Sequence, residues 1–120
     1  MRIFKTRTFQ RWAVTTGSAD ASLLEAVKEM EGGLIHARLG GNLFKQRVSL
    51  PGRGKSGSAR TLIVTQFADV WYFLYGFEKN ERDNMTDREL RLYQKLASEL
   101  LALTEDQIIK ALAAQNLLEL

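Results

Sequence analysis

Thr61-Leu62-Ile63-Val64-Thr65-Gln66-Phe67-Ala68-Asp69-Val70-Trp71-Tyr72-Phe73-Leu74-Tyr75-Gly76-Phe77 is the stretch that decides the fold. Positions 61–67 are β-branched and apolar, which predicts a strand. Ala68-Asp69 reads as a tight turn. Val70 to Phe77 is apolar and aromatic almost throughout, the pattern of a strand buried on both faces. The two strands are expected to form a hairpin. Just upstream the apolar residues alternate: Phe44, Val48 and Leu50 share one face, and Lys45, Arg47 and Ser49 the other. A strand over 43–50, half buried and cationic on its second face, is therefore expected beside the hairpin.

Outward from this sheet the period lengthens. Residues 2–5 suit a short strand, and Phe9, Trp12 and Ala13 a short helix, with 15–19 as a loop. Leu23, Leu24, Val27 and Met30 recur at helical spacing and predict a helix over about 20–31. Ser22 and Glu25 offer it a capping box, and Gly32-Gly33 a stop. Residues 34–42, with Gly40-Gly41-Asn42, read as a loop, and Pro51 to Ser58 as a basic loop. After the charged run Glu78 to Asn84, Thr86 and Glu89 cap a helix over 87–102. Thr104 and Gln107 cap a shorter one carrying Ile108, Ile109, Leu112 and Ala113. Residues 117–120 fit a terminal strand or a frayed tail. The order β-α-α-β-β-β-α-α describes one α+β domain over 1–120, an antiparallel sheet covered by helices.

The 120 residues are 45% hydrophobic and 26% charged, the composition of a globular domain rather than a disordered chain. Having no cysteine, the chain has no disulfide, thiol nucleophile, iron–sulfur ligand or cysteine-bound zinc. A single histidine, His36, leaves no His-pair metal site. No apolar run reaches the roughly 20 residues of a membrane span, and none of signal-peptide length follows the N-terminus, so a cytoplasmic protein is expected. Charge is uneven. Residues 1–60 hold eleven Lys/Arg against four acids, a net +7, while 61–120 carry a net −4. Segment 32–68 contains Arg38, Lys45, Arg47, Arg53, Lys55 and Arg60 and no acid. Such a stretch suits a polyanion, nucleic acid foremost, or a solvated basic face balanced in space by the acidic half.

Gly54-Lys55-Ser56 superficially matches the end of a phosphate-binding loop. The pattern needs glycine at 49, which is Ser49, and a helix afterwards, where a strand is expected. His36 has no carboxylate nearby in sequence to orient it and reads as a structural histidine. The aromatics Trp12, Trp71, Phe73 and Tyr75 read as core, with Tyr72 or Tyr75 as alternative platforms for a nucleic-acid base. The cations are more informative. Lys45 and Arg47 leave one strand in the same direction, Lys55 and Arg60 bracket the next loop, and Lys79 and Arg82 follow the last strand. A small sheet can gather these six on one concave surface able to bind a phosphodiester and stabilise its transition state. RNA brings its own nucleophile, the 2′-hydroxyl, so catalysis needs only a base, an acid and charge stabilisation. A lysine crowded by arginines can carry protons near neutrality. The alternative is a patch that only binds RNA, DNA or an acidic protein.

Three stretches resemble one family: Leu39-Gly40-Gly41-Asn42-Leu43-Phe44-Lys45-Gln46-Arg47-Val48, Gly52-Arg53-Gly54-Lys55-Ser56-Gly57-Ser58-Ala59-Arg60-Thr61, and Tyr75-Gly76-Phe77-Glu78-Lys79-Asn80-Glu81-Arg82-Asp83-Asn84. By these the chain resembles the RelE/ParE superfamily of type II toxin–antitoxin toxins, and within it the HigB-like RelE group. The resemblance implies a microbial-ribonuclease-like fold, a small antiparallel sheet with helices packed on one side. It implies a toxin that enters the ribosomal A site and cleaves mRNA without metal or cofactor, neutralised by a cognate antitoxin that often carries a helix-turn-helix domain. By position it makes Lys55, Arg60 and Lys79 the catalytic set. Arg60 would stabilise the phosphate and Lys55 or Lys79 move protons, with Lys45, Arg47, Arg53, Asn80 and Arg82 on the RNA. Some relatives place a catalytic tyrosine or histidine near the C-terminus. Here residues 85–120 offer only Tyr93, on an apolar stripe. ParE toxins share the fold and attack DNA gyrase, so fold alone leaves the target open.

Overall fold

A computed structural model describes residues 1–52, 59–78 and 85–120. The elements are β1 (Arg2–Thr6), α1 (Arg7–Thr16), α2 (Asp20–Glu31), β2 (Ala37–Gly40), β3 (Leu43–Val48), β4 (Ala59–Thr65), β5 (Val70–Glu78), α3 (Asp87–Leu101), α4 (Glu105–Ala113) and β6 (Leu117–Glu119). They build one six-stranded sheet in the order β2-β3-β4-β5-β1-β6. Among the described residues only β1 and β5 run parallel; every other pair is antiparallel. The α+β class and the largely antiparallel sheet are as expected.

One detail is corrected. The helices cover both faces of the sheet, not one. The reason lies in β4 and β5. All seven residues of β4 are buried, and β5 sends Trp71 and Phe73 to one side, Tyr72 and Leu74 to the other. On the first side Phe9 and Ala13 of α1 and Leu23, Val27 and Met30 of α2 pack over Ile3, Phe44, Val48 and Ile63. On the second, Tyr93, Ala97 and Leu100 of α3 and Ile108 of α4 pack over Phe4, Leu43, Leu62 and Val64. Each fully buried large side chain contributes roughly 1.5–3 kcal/mol. An exposed ion pair contributes about 0–1 kcal/mol, so the two apolar layers hold the molecule together.

Local signals fared unevenly. The capping boxes at Thr86/Glu89 and Thr104/Gln107 both form. The helix over 20–31 forms as expected, but the Ser22/Glu25 box does not: the cap of α2 is Ala19, three residues earlier, and Ser22 lies inside the helix. The Asp20 carboxylate there accepts from the Lys5 ammonium at 3.1 Å, which satisfies a cation only 8% exposed. Residues 34–42 are not wholly loop. They contain β2 and the tight turn to β3, with Gly41 and Asn42 at positive φ, the backbone a two-residue hairpin requires. Residues 117–120 resolve as strand: Leu117–Glu119 pairs antiparallel with β1. Arg2 fastens this end, its guanidinium donating to Glu119 at 3.0 Å and to Glu105 at 3.0 Å, which holds the Glu119 carboxyl below the usual range. Among the described residues no helix is long and apolar enough to cross a membrane.

Candidate functional site

The pleat of β3 sorts its side chains. Phe44, Gln46 and Val48 turn toward α1 and α2, while Lys45 and Arg47 emerge on the α3 side. On β4 the same alternation puts Arg60 on the side of Lys45 and Arg47. Register completes the grouping, because Arg47 lies directly opposite Arg60, and Arg60 opposite Phe77 of β5. Lys45, Arg47 and Arg60 line a single pocket of about 250 Å³ with His36 and Ala37. Arg60 is only 7% exposed, Lys45 half-buried and Arg47 exposed. Like charges set opposite each other on neighbouring strands are destabilising. Two arginines held so, one of them buried, make a site that favours an anion and disfavours another cation.

His36 and Gln46 frame this pocket. Gln46 is fully buried and uses both ends of its amide: Oε1 accepts from the His36 N–H at 3.0 Å, and Nε2 donates to the Leu34 carbonyl at 2.9 Å. The side chain thus substitutes for strand pairing just before β2 begins. His36 returns the contact, its Nδ1 accepting the Arg47 N–H at 3.0 Å. Gln46→Leu would take from the His36 N–H and the Leu34 carbonyl their partner in two partly buried hydrogen bonds, and an isosteric apolar chain cannot replace it. We expect a loss of about 1–3 kcal/mol in chemical denaturation, with an unchanged denaturant slope. A smaller change would mean that 34–36 re-pair with water.

Of the residues singled out in the sequence, the structure brings together Lys45, Arg47 and Arg60. Arg53, Lys55, Lys79, Asn80 and Arg82 lie outside the described residues. The two segments carrying them adjoin Ala59 and Glu78, which are register partners at the end of the sheet next to Arg47 and Arg60. Tyr72 is buried, stacked on Phe4 at 5.4 Å, and no base can reach its face. Burial also raises its phenol above the usual value. Tyr75 is half-buried instead. A bulge between the Leu62 and Ile63 pairings turns both Leu74 and Tyr75 toward α3, where Tyr75 lies 5.7 Å from Tyr93. Trp71 and Phe73 are core, as expected, and Trp12 is half-buried against them. Tyr93 belongs to the α3-side core.

His36 is the pocket residue that sequence reasoning missed. Its signal was available in Gly40-Gly41-Asn42. Once that is read as a hairpin turn, the pairing of Arg38 with Phe44 and Ala37 with Lys45 carries residue 36 to Gln46 and Arg47. Among the described residues no cluster of His, Asp and Glu is arranged to hold a metal ion.

The family model described as the RelE toxin of the RelE/RelB toxin–antitoxin system matches residues 1–120. No curated protein matches the chain.

Proposed function

The chain belongs to the RelE family of toxins from toxin–antitoxin systems, and on that premise we propose that it is a ribosome-dependent endoribonuclease that cleaves mRNA in the A site. As a toxin of this family it pairs with a RelB-type antitoxin; that the antitoxin carries a helix-turn-helix domain, and that the toxin acts in the cytoplasm, are parts of the proposal. The observation that carries the reading is the pocket of Lys45, Arg47 and Arg60 at one end of the sheet. A phosphodiester is singly charged in the ground state and gains charge as the 2′-oxygen attacks. Preset cations in a partly buried pocket therefore stabilise the transition state more than the substrate.

In this reading the 2′-hydroxyl attacks the adjacent phosphorus, the bond to the 5′-oxygen breaks, and a cyclic phosphate forms. Arg60, nearly buried and opposite Arg47, takes the phosphate oxygens through its planar fork. Lys45 and Arg47 hold the strand on either side, joined by Arg53, Asn80 and Arg82. Lys55 and Lys79, from the two segments that adjoin Ala59 and Glu78 in the chain, are assigned the proton transfers.

Tightly induced expression in bacteria, with amino-acid and thymidine incorporation followed in parallel, tests the reading. Amino-acid incorporation is expected to stop at once while thymidine uptake continues. The reverse order would identify a gyrase inhibitor, and no effect on either would indicate a module that only binds nucleic acid.

A further inference from the structure

We propose that the antitoxin of this chain lays an acidic, extended segment along the open edge of β6, in the groove between that strand and α1. The inference goes beyond the nuclease reading and does not depend on it; its premise is the pairing with an antitoxin. Three observations carry it. The first is the edge itself, because β6 ends the sheet. The Arg7 N–H donates to the Asn116 carbonyl at 3.1 Å, and the Leu120 N–H to the Ile3 carbonyl at 2.9 Å. In an antiparallel ladder both peptide groups of every second residue point at the same neighbour. Residues 116, 118 and 120 therefore face β1. Leu117 and Glu119 hold their N–H and C=O toward the open side, ready to pair with a further strand.

The second observation is a groove of about 580 Å³ beside this edge, walled by Arg7, Arg11 and Val14 of α1 and by Leu118 of β6. Arg7, Arg11 and Val14 share one helix face, at spacings of four and three. Val14 is 70% exposed and offers an apolar seat next to Leu118. The third is charge of a single sign. No acid occurs in α1. The Arg7 guanidinium donates to the carbonyls of Ala114 at 2.8 Å and Gln115 at 3.1 Å, which leaves its charge unneutralised. Among the described residues no carboxylate pairs with Arg11. An extended segment sends alternate side chains to one face, so it can place an apolar residue against Val14 and Leu118 and an acid at Arg11. A second copy pairing through β6 would bring two sets of these arginines to one edge, which charge disfavours. An RNA strand would use the cations but not the open peptide groups or Val14.

The groove lies on the α1 side of the sheet, and the pocket of Lys45, Arg47 and Arg60 on the α3 side. Substitutions in the groove are therefore expected to change antitoxin affinity and leave mRNA cleavage as in the parent.

The full chain and the antitoxin encoded beside it provide the test. Amide exchange is followed by NMR in the free toxin and in the complex. We expect the Leu117 and Glu119 amides to exchange readily in the free chain and to slow at least about tenfold in the complex. The Leu118 amide, already in the β1 ladder, should change little. Calorimetric titration then separates the contributions, with thermal melting as the folding control. Arg11→Glu is expected to weaken antitoxin binding about 10- to 100-fold. Glu119→Pro removes an outward N–H from the edge, and about a tenfold loss is expected. Glu119→Ala gives up the same ion pair with Arg2 but keeps that N–H, and it should bind within about threefold of the parent.

Leu117 and Glu119 amides that exchange equally fast in both states would overturn the proposal. So would parent-like binding by Arg11→Glu and Glu119→Pro. A free toxin that is already dimeric, with both amides protected, would give the edge to a second copy. Loss of ribosome or RNA binding by Arg11→Glu, with antitoxin binding intact, would give the groove to RNA. A parent that binds no antitoxin removes the premise, whatever it does to mRNA. A parent that binds antitoxin through this edge but cleaves nothing overturns the nuclease reading alone.

Discussion

Arg60→Ala is expected to lower single-turnover mRNA cleavage by about 100- to 1,000-fold, the loss typical of removing one preset charge-stabilising group. Arg60 stands apart from Lys45 and Arg47 by its burial, at 7% exposure, and by its place directly opposite Arg47. A guanidinium in that position has little water around it, so its interaction with a phosphate is poorly screened. Arg60→Lys keeps the charge but not the planar fork and is expected to recover only part of the rate. Stability should move less than activity. Truncation removes the packing of the aliphatic stem but also relieves the opposition to Arg47. The net loss is expected to stay below about 2 kcal/mol. Melting curves and cleavage rates measured on the same preparations check both halves. A folded Arg60→Ala protein that cleaves at the parent rate would remove Arg60 from the site.

The largest expected effect on stability comes from one methyl group at Gly76. A Cβ built there lies 2.3 Å from Cε3 and 2.5 Å from Cδ2 of Trp12, well inside the 3.0 Å that real Cβ atoms respect. Backbone conformation is not the obstacle, since Gly76 is not among the residues of positive φ. The obstacle is the indole itself. Trp12 packs 5.3 Å from Phe9, which packs 5.2 Å from Phe73, so the ring cannot slide without disturbing the layer under α1. Overpacking of this kind costs about 1–3 kcal/mol or more, and Gly76→Ala is expected to fall at or above the top of that range. The cause can be isolated. Trp12→Leu removes the clashing atoms, so the double variant should be more stable than the sum of the two single losses predicts. A coupling of about 0.5–3 kcal/mol is expected. Simple additivity in denaturant titrations would place the strain elsewhere.

Much of the fold can be read locally. Alternation in 43–48, the apolar run 70–77 and two of the three expected capping boxes depend on residues a few positions apart. So does the long basic segment that points to an anion. The run 70–77 even announces burial on both faces, and helices on both sides of the sheet are its consequence. The parts that failed are those decided by distant partners. β2 is only four residues long, and it is held against β3 by Gln46 and the Gly41-Asn42 turn. The Ser22/Glu25 capping pattern goes unused, because α2 is capped at Ala19 and its first residue, Asp20, pairs with Lys5, fifteen residues earlier in the chain.

The candidate site divides the same way. Lys45 and Arg47 share a face because the strand period is two, a property of six consecutive residues. That Arg60 faces Arg47 depends on the β3–β4 register, and that His36 joins them depends on a hairpin and a buried glutamine. By itself, then, the sequence determined most of the elements, the α+β class and the sign of the charge, since periodicity and composition are local quantities. Only the tertiary structure decided which cations meet, which one is buried and that His36 joins them. Those follow from pairing and packing between residues far apart in the chain, where one step of register would send every side chain to the opposite face.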